Sequence, residues 1–265
     1  MRDKVSTATE ALAEVRDGSL VAANFWGPGT PNYLWQALKE QGAKDLTIYT
    51  NNYVLRADVL KEQGVIGTAL LLSQTKKVIA AFSAIQQEDS SDSAEIARRV
   101  EEGTLEFESI SHGVFIERLY AGAMGLGGVY CPIGIGTLVE EGKEKRIING
   151  REYIFQEPIV PDLGLISADK ADKLGNLVYH GTARAANPII AMAARYTVAE
   201  VYEIVEPGEL DPDTIVTPGA FVDRIVRIPD DDPGSKKRRI ERNLISIRYR
   251  QQKLAEAAAA QGGRT

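Results

Sequence analysis

The chain has 265 residues, with 31 Lys and Arg against 37 Asp and Glu, two histidines and one cysteine. This length suits one α/β domain or two small ones, and an apolar content of 44% is typical of soluble globular proteins. The net charge of −6 argues against a nucleic-acid-binding protein. The lone Cys131 excludes a disulfide framework and a multi-thiolate zinc site, and the distant His112 and His180 form no paired-histidine metal motif. No metal is therefore expected.

The sequence contains no feature that directs a protein to or through a membrane. Met1–Arg16 carries charges every few positions and lacks the apolar stretch of a signal peptide. No window approaches the run of about 18 apolar residues that a transmembrane helix needs. We therefore expect a cytoplasmic protein without a membrane partner.

Short apolar runs alternate with longer amphipathic stretches, which predicts an α/β fold with an open, mostly parallel sheet and flanking helices. The predicted elements are, in chain order, strand Leu20–Phe25, helix Asn32–Gln41, strands Leu46–Thr50 and Val78–Phe82, helix Ser93–Glu102, strand Leu105–Ile110, helix Val114–Ala123, strands Leu163–Ser167 and Leu177–Tyr179, helix Asn187–Ala194 and strand Thr197–Val205. Between them, residues 122–136 are rich in glycine, and Asn149-Gly150 predicts a type I′ hairpin. The sheet is thus expected to carry a small glycine-rich insertion with a hairpin.

The end of the chain differs in composition from the rest. Pro229–Gly234 resembles a linker, and the basic run Ser235–Arg239 opens a predicted helix. We predict one domain over residues 1–228 and a linker with a basic C-terminal helix over 229–265. The helix is interpreted as a solvated or subunit-docking element, with a phosphate contact as the alternative.

Three turns follow predicted strands, at Trp26–Pro31, Asn51–Tyr53 and Ser111–Gly113. In open α/β sheets, ligands bind at the carboxyl ends of strands, where loops expose backbone N–H groups. Each turn is either a donor site for an anion or a developing oxyanion, or a plain structural turn. His112 falls at one of these strand-to-helix transitions, which makes it a candidate catalytic residue.

Four blocks of sequence occur in a characteristic order, at Lys44–Asn52, Gly134–Glu144, Asp172–Pro188 and Glu206–Gly219. They are similar to the "KDLTxxSNN", "GxGTxxxxGKE", "DxxGNLxYxxxARNxNP" and "ELxPxxIxTPG" segments of one family. The chain thereby resembles the A (alpha) subunit of the class I, 3-oxoacid- or glutaconate-type CoA-transferases, from about Asp17 to Val226. The resemblance implies that family's open α/β fold.

In this family a glutamate of the B (beta) subunit carries CoA as a glutamyl thioester, in a motif similar to Ser-Glu-Asn-Gly. No Glu-Asn-Gly occurs in this chain. The resemblance therefore implies half of a heterodimer or heterotetramer, whose partner is the beta subunit of the same family, and whose substrate is an acyl-CoA. It also implies no permanently bound cofactor, with coenzyme A present only as part of the substrate.

Three segments depart from the family pattern, and all three fall on the turns at the strand ends. Bulky Phe25 and Trp26 stand where the family has glycines, Tyr53 extends the Asn-Asn pair, and His112 replaces the glutamine of "PQG". The acyl pocket is therefore expected to be rebuilt. His112 is the predicted catalytic residue, and the predicted substrate- and oxyanion-binding residues are Phe25, Trp26, Gly27, Gly29, Asn51, Asn52, Tyr53 and Gly113.

Three functions remain open at this point. The first is CoA transfer between an acyl-CoA and a carboxylic acid. The second is a repurposed family member that decarboxylates a (methyl)glutaconyl-type CoA thioester, as in the myxobacterial enzyme, or hydrolyses an acyl-CoA; aromatic side chains would desolvate a carboxylate for that purpose. The third is a scaffold subunit that binds acyl-CoA without turnover.

Overall fold

The computed structural model describes residues 3–25, 29–53, 68–83 and 91–232. Its helices are Ala8–Ala11 (α1), Asn32–Gln41 (α2), Ser91–Glu101 (α3), His112–Ala123 (α4) and Asn187–Ala193 (α5). Its strands are Leu20–Ala23 (β1), Leu46–Tyr53 (β2), Thr75–Ser83 (β3), Glu106–Ser109 (β4), Val129–Cys131 (β5), Lys145–Ile148 (β6), Arg151–Gln156 (β7), Leu163–Asp172 (β8), Leu177–Val178 (β9), Thr197–Val205 (β10) and Arg224–Arg227 (β11). Short 3₁₀ turns connect several of them, including Leu138–Glu140 and Gly181–Arg184.

In the part of the chain described, the larger sheet has eight strands in the order β11-β10-β8-β1-β2-β3-β4, with β9 added to β8. Neighbours along this order pair in parallel, and β9 pairs with β8 in the antiparallel direction. This confirms the predicted open, mostly parallel sheet. Because β1 to β4 are parallel neighbours, their carboxyl ends lie along one edge of the sheet.

Helices cover both faces of this sheet, and the alternation of side chains along each strand divides the core in two. On one face, Leu34, Trp35 and Leu38 of α2 belong to the same buried cluster as Val21, Ile48 and Val198 of the strands. On the other face, residues of α4 and α5 share a cluster with the intervening strand residues: Val114, Phe115, Leu119, Ile189 and Ile190 with Ala22, Tyr49 and Ala199. The sheet is thus buried on both sides, which explains why its strands are continuous apolar runs.

Each end of helix α2 is stabilised by one residue, Glu200 at the start and Gly42 at the end. Its N-cap residue, Pro31, offers no side-chain cap, and the buried carboxylate of Glu200 on β10 accepts the Leu34 N–H instead, at 2.9 Å. A carboxylate at this end stabilises a helix because it pairs with an unsatisfied N–H and with the helix dipole. At the other end, Gly42 is left-handed with φ 86°, the conformation that commonly ends a helix.

A second, three-stranded antiparallel sheet has the order β5-β7-β6. Its hairpin turn is Asn149-Gly150, whose φ values of 51° and 77° are those of the predicted type I′ turn. The glycine-rich segment predicted at residues 122–136 leads from the end of α4 through β5 into this sheet. The predicted hairpin insertion is therefore present.

Several predicted element boundaries differ from the structure, among them the end of β8, which runs to Asp172 rather than Ser167, and three boundaries at the candidate site. Strand β1 ends at Ala23 rather than Phe25. Strand β2 continues through Asn51 and Asn52 to Tyr53, because this end of the strand pairs with β3; the predicted loop Asn51–Tyr53 is wrong. Helix α4 begins at His112, two residues earlier than predicted.

Two further expectations concern the chain ends and the membrane. No helix among the described residues is long and apolar enough to cross a membrane. The predicted C-terminal helix lies outside the described residues, which stop at Asp232, so the division at residue 228 stays a prediction.

Candidate active site at the carboxyl ends of the parallel strands

The segment that follows β1 is hydrogen-bonded to the end of β2. Phe25 donates its backbone N–H to Asn51 Oδ1 at 2.7 Å, and both residues are buried, with 5% and 8% of their surface exposed. Asn51 therefore fixes the exit of β1 through its side chain. Trp26 and Gly27, the next two predicted site residues, lie outside the described residues.

Gly29 is held at close range by the turn that precedes α5. Its φ is +112°, and a Cβ at this position would lie 2.2 Å from the carbonyl oxygen of Ala183. Both carbonyls accept from Asn187, whose Nδ2 lies 3.0 Å from Gly29 O and 3.1 Å from Ala183 O. Asn187 Oδ1 in turn accepts the N–H of Ser167 on β8 at 3.3 Å. A single buried amide thus joins the glycine loop, the turn and the central sheet.

Asn187 and Asn24 are polar residues at this edge that the sequence did not single out as site residues. Asn187 stands in one of the blocks that resemble the family, but spacing alone gives it no partner. Asn24 follows β1 and is 3% exposed, and its Nδ2 has no hydrogen-bond partner among the described residues. The same holds for Oδ1 of Asn52 on β2. Unpartnered buried amides are rare in proteins, which draws attention to these two strand ends.

Tyr53 occupies a different position from the one its loop assignment suggested. It is fully buried and belongs to the core cluster on the α2 face of the sheet. Burial raises the pKa of its phenol well above the usual range, and the neighbouring Thr75 hydroxyl opposes part of that shift. The phenol therefore stays protonated at physiological pH. Its predicted role in the pocket wall remains a prediction.

His112 and Gly113 form the first turn of α4. Ser111 caps this helix, with its Oγ accepting the Val114 N–H at 3.1 Å, and the His112 side chain is exposed. Gly113 lies against Ile133, since a Cβ on Gly113 would come within 3.0 Å of Ile133 Cδ1. Strands β2 and β4 are separated by β3, so at a strand spacing of about 4.8 Å the helix start lies about 10 Å along the edge from the end of β2.

The predicted site residues within the described ranges therefore share one edge of the sheet, apart from Tyr53, which is buried beneath it. Phe25 and Asn51 are in direct contact, and Gly29 is fixed beside them by Asn187. His112 and Gly113 stand further along the same edge. Among the described residues, no group of three or more His, Cys, Asp and Glu could hold a metal ion.

A buried arginine paired with a partly exposed glutamate anchors α4 to the sheet behind this edge. The Arg118 side chain is 8% exposed; its Nη1 lies 2.8 Å from Glu108 Oε1 on β4, and its Nε donates to the carbonyl of Glu157 at 2.8 Å. The guanidinium also lies over the Tyr49 ring, 5.9 Å from its centroid, and Tyr49 donates its hydroxyl to Phe115 O. These contacts fix where the first turn of α4 stands relative to β2 and β4.

Cys131 is the only thiol in the chain, and it lies on β5 with 1% of its surface exposed. Burial, together with a hydrogen bond to the Glu117 carboxylate, raises the pKa of this thiol to about 11. Only the thiolate is nucleophilic, so at pH 8 we expect alkylation by iodoacetamide to be at least ~100-fold slower than for free cysteine. Mass spectrometry against time measures the rate, and the urea-unfolded protein is the control. Rapid labelling of the folded protein would contradict this expectation.

The sequence of the chain matches one protein family over most of its length. The Coenzyme A transferase family model matches residues 5–227. The chain is similar to the alpha subunit of acetate CoA-transferase from Escherichia coli K12, at 39% identity over 85% of this chain and 97% of that protein. It is also similar to the A (alpha) subunit of 3-oxoadipate CoA-transferase from Acinetobacter baylyi, at 41% identity over 86% of this chain and 96% of that protein.

Solved structures show the same fold. An acyl-CoA transferase from E. coli O157:H7 superposes with a TM-score of 0.70 at 21% identity, over 87% of this chain and 48% of that longer chain. A variant of the decarboxylase AibA/AibB superposes with a TM-score of 0.68 at 25% identity, over 86% of this chain and 84% of that chain. The match of the family model over residues 5–227 and the relatives at 39% and 41% identity establish that the chain belongs to the coenzyme A transferase family.

Proposed function

We propose that this chain is the alpha subunit of a two-subunit coenzyme A transferase, which moves CoA between an acyl thioester and a carboxylic acid. The observation that carries this proposal is the identity of 39% and 41% to A (alpha) subunits of CoA-transferases across nearly their whole length. A match of this extent covers the sheet, both helical layers and the hairpin sheet together.

In the proposed enzyme, the nucleophile is a glutamate of the beta subunit. The chain has no Glu-Asn-Gly sequence, and its one thiol is protonated at neutral pH. The alpha subunit would then bind and orient the acyl-CoA. Coenzyme A enters with the substrate, no permanently bound cofactor takes part, and the proposed location is the cytoplasm.

In the proposed reaction, this chain stabilises a developing negative charge. When a carboxylate attacks a thioester, charge develops on the carbonyl oxygen, and fixed N–H donors lower the energy of that state. We propose that the thioester end lies beside Gly27, Gly29, Asn51 and Asn52. The clamp by Asn187 supports this placement because it holds the Gly29 backbone rigid, and rigid donors need no reorganisation during the reaction.

The acyl end of the substrate would extend towards the first turn of α4. We propose that Gly113 contributes there, that His112 faces the acyl group, and that Phe25, Trp26 and Tyr53 shape the apolar wall. The shared sheet edge supports this arrangement. Because Tyr53 is fully buried, it would contribute by supporting the pocket from below rather than by touching the substrate.

The proposal is tested on the co-purified complex of this chain with its beta subunit. Incubation with an acyl-CoA followed by borohydride should inactivate the complex, because borohydride reduces an enzyme-bound thioester, and a free carboxylate should protect it by discharging that thioester. Label should also exchange between the acyl-CoA and its carboxylate. This chain alone should show neither effect. Turnover by the chain alone at normal enzyme rates would disprove the division of labour.

His112 provides a sharper test within the same complex. The variant His112→Ala is expected to lower kcat/KM by at least ~10-fold, the size of a lost proton transfer or hydrogen bond to the reacting group. His112→Gln is the matched variant, since it keeps a hydrogen-bond donor but cannot titrate. A pH profile of kcat/KM that flattens in the Gln variant identifies proton transfer, and an unchanged rate in the Ala variant removes His112 from the site.

A second candidate function is decarboxylation of an acyl-CoA that carries a second carboxylate. The likeness to the decarboxylase AibA/AibB favours it. Release of CO₂ from such a substrate, in the absence of any acceptor acid and without a borohydride-sensitive intermediate, would favour this reaction over transfer.

A further inference from the structure

Exposed apolar side chains are concentrated in one stretch of the chain. Of the nine large hydrophobic residues exposed in the described ranges, six lie between residues 120 and 147: Tyr120, Met124, Leu126, Ile133, Leu138 and Ile147. Leu138 and Ile147 are the most exposed, at 82% and 74%. Single exposed hydrophobic residues are ordinary, whereas a concentration of them marks a surface that another molecule covers.

Part of this stretch lies along one face of α4. Gly113, Glu117, Tyr120 and Met124 are spaced three or four residues apart and therefore share a face of that helix. The near end of this face contacts the residues around β5, since Gly113 lies against Ile133 and the Glu117 carboxylate is close enough to the Cys131 thiol to raise its pKa. Tyr120 and Met124 extend the same face towards the solvent.

The remaining part lies on the hairpin sheet. Lys145 and Ile147 point to the same side of β6, because alternate residues of a strand share a face. Lys145 Nζ lies 2.8 Å from Glu140 Oε1, which places the turn that contains Leu138 beside this side of the strand. Lys145 also faces Ile154 across the sheet, and a Cβ on Gly134 would lie 3.4 Å from Ile154 Cδ1. Residues 133–140 therefore run along the same face.

We group these exposed residues as the α4–hairpin surface and define it by Tyr120, Met124, Ile133, Leu138 and Ile147. Its helix and hairpin parts meet where Ile133 lies against Gly113. Charged groups border it at the hairpin: Glu140 and Lys145 pair with each other, and exposed Glu152 faces Ile147 across the strands. An apolar centre with a charged rim has the composition of a protein–protein interface.

We propose that the α4–hairpin surface is the docking surface for the beta subunit. This inference rests on the proposed function, in which the beta subunit must bring a glutamate to the strand edge where the substrate binds. The surface begins at that edge, because Ile133 lies against Gly113 in the first turn of α4. A partner that covers the surface therefore reaches the site without a gap. A second copy of this chain has no Glu-Asn-Gly glutamate to bring to the substrate, so nothing in the reaction would require it to dock beside this edge.

The test measures how tightly the beta subunit is bound to single variants of this chain. Leu138→Glu and Ile147→Glu change highly exposed side chains, so both variants should fold, which circular dichroism and Tm confirm. The matched control is Phe221→Glu, which is 37% exposed and lies outside the surface. We expect the Kd for the beta subunit to rise at least ~10-fold in both surface variants and to stay unchanged in the control, as for a residue in an interface core.

Two results would overturn the proposal. One is wild-type affinity for the beta subunit in both folded surface variants. The other is unchanged affinity together with a smaller assembly by light scattering, which would assign the surface to a contact between copies of this chain. Binding and turnover are separate readouts, so a complex that assembles through this surface but transfers no CoA would disprove the proposed function and leave the docking surface standing.

Discussion

The variant Gly29→Ala is expected to lose about 2–4 kcal/mol of unfolding free energy, together with most of its activity in the complex. The added Cβ would lie 2.2 Å from Ala183 O, well inside van der Waals contact. Neither carbonyl can move freely, because Asn187 binds both. The backbone φ of +112° adds a conformational cost for any residue with a Cβ.

A matched glycine separates these two costs. Gly18 also has a positive φ, of +80°, but a Cβ there would meet no atom within 4 Å. Gly18→Ala should therefore lose only about 1 kcal/mol. Urea unfolding of both variants followed by circular dichroism measures the difference. Equal losses of unfolding free energy in the two variants would show that the close approach of Gly29 to Ala183 does not contribute to stability.

The second large effect is expected at Arg118. Replacement by Met should lower the free energy of unfolding by about 1–2 kcal/mol, less than for a fully buried pair, because Glu108 is 30% exposed and keeps Lys77 at 3.4 Å. Glu108 would lose its main cation, and the carbonyl of Glu157 its donor. Met keeps an unbranched apolar side chain at this position, so the loss reports on charge, hydrogen bonding and the contact of the guanidinium with the Tyr49 ring.

Arg227→Met is the control for this experiment. Arg227 also pairs with a carboxylate, that of Asp230, but the two side chains are 49% and 84% exposed. Exposed pairs are weak, and the expected loss is below about 0.5 kcal/mol. A loss at Arg118 as small as that at Arg227 would mean that the fixed position of α4 depends on its apolar packing alone.

Features that depend on neighbours in the chain were predictable from the sequence. The bounds of α2 and its glycine stop follow from an apolar stripe and one left-handed residue. The hairpin follows from Asn149-Gly150. Even the start of α4 at His112 was accessible, since Ser111 is a favoured N-cap residue, and the missed two residues reflect an apolar stripe that begins only at Val114.

Features that depend on distant partners were not predictable. Asn51, Asn52 and Tyr53 look like a turn, yet pairing with β3 keeps them in β2 and overrides their local preference. The cap of α2 comes from Glu200, which is 166 residues away from Leu34. Nothing in the spacing of Asn187 indicates that it binds the Gly29 loop. Element order therefore predicted that most of the candidate residues share one edge of the sheet, while the groups that hold them in place emerged only from the fold.

The hydrogen bond from Phe25 to Asn51 decides which end of the Asn51 side-chain amide, the oxygen or the nitrogen, faces the exit of β1. A backbone N–H can pair only with the oxygen of the Asn51 amide, so the oxygen faces the exit of β1 and Nδ2 faces the other way. The orientation of a side chain that could otherwise rotate is thereby chosen before any substrate arrives. In the proposed site, Asn51 Nδ2 is therefore the hydrogen-bond donor at this point, and the oxygen of a thioester is an acceptor that it could bind.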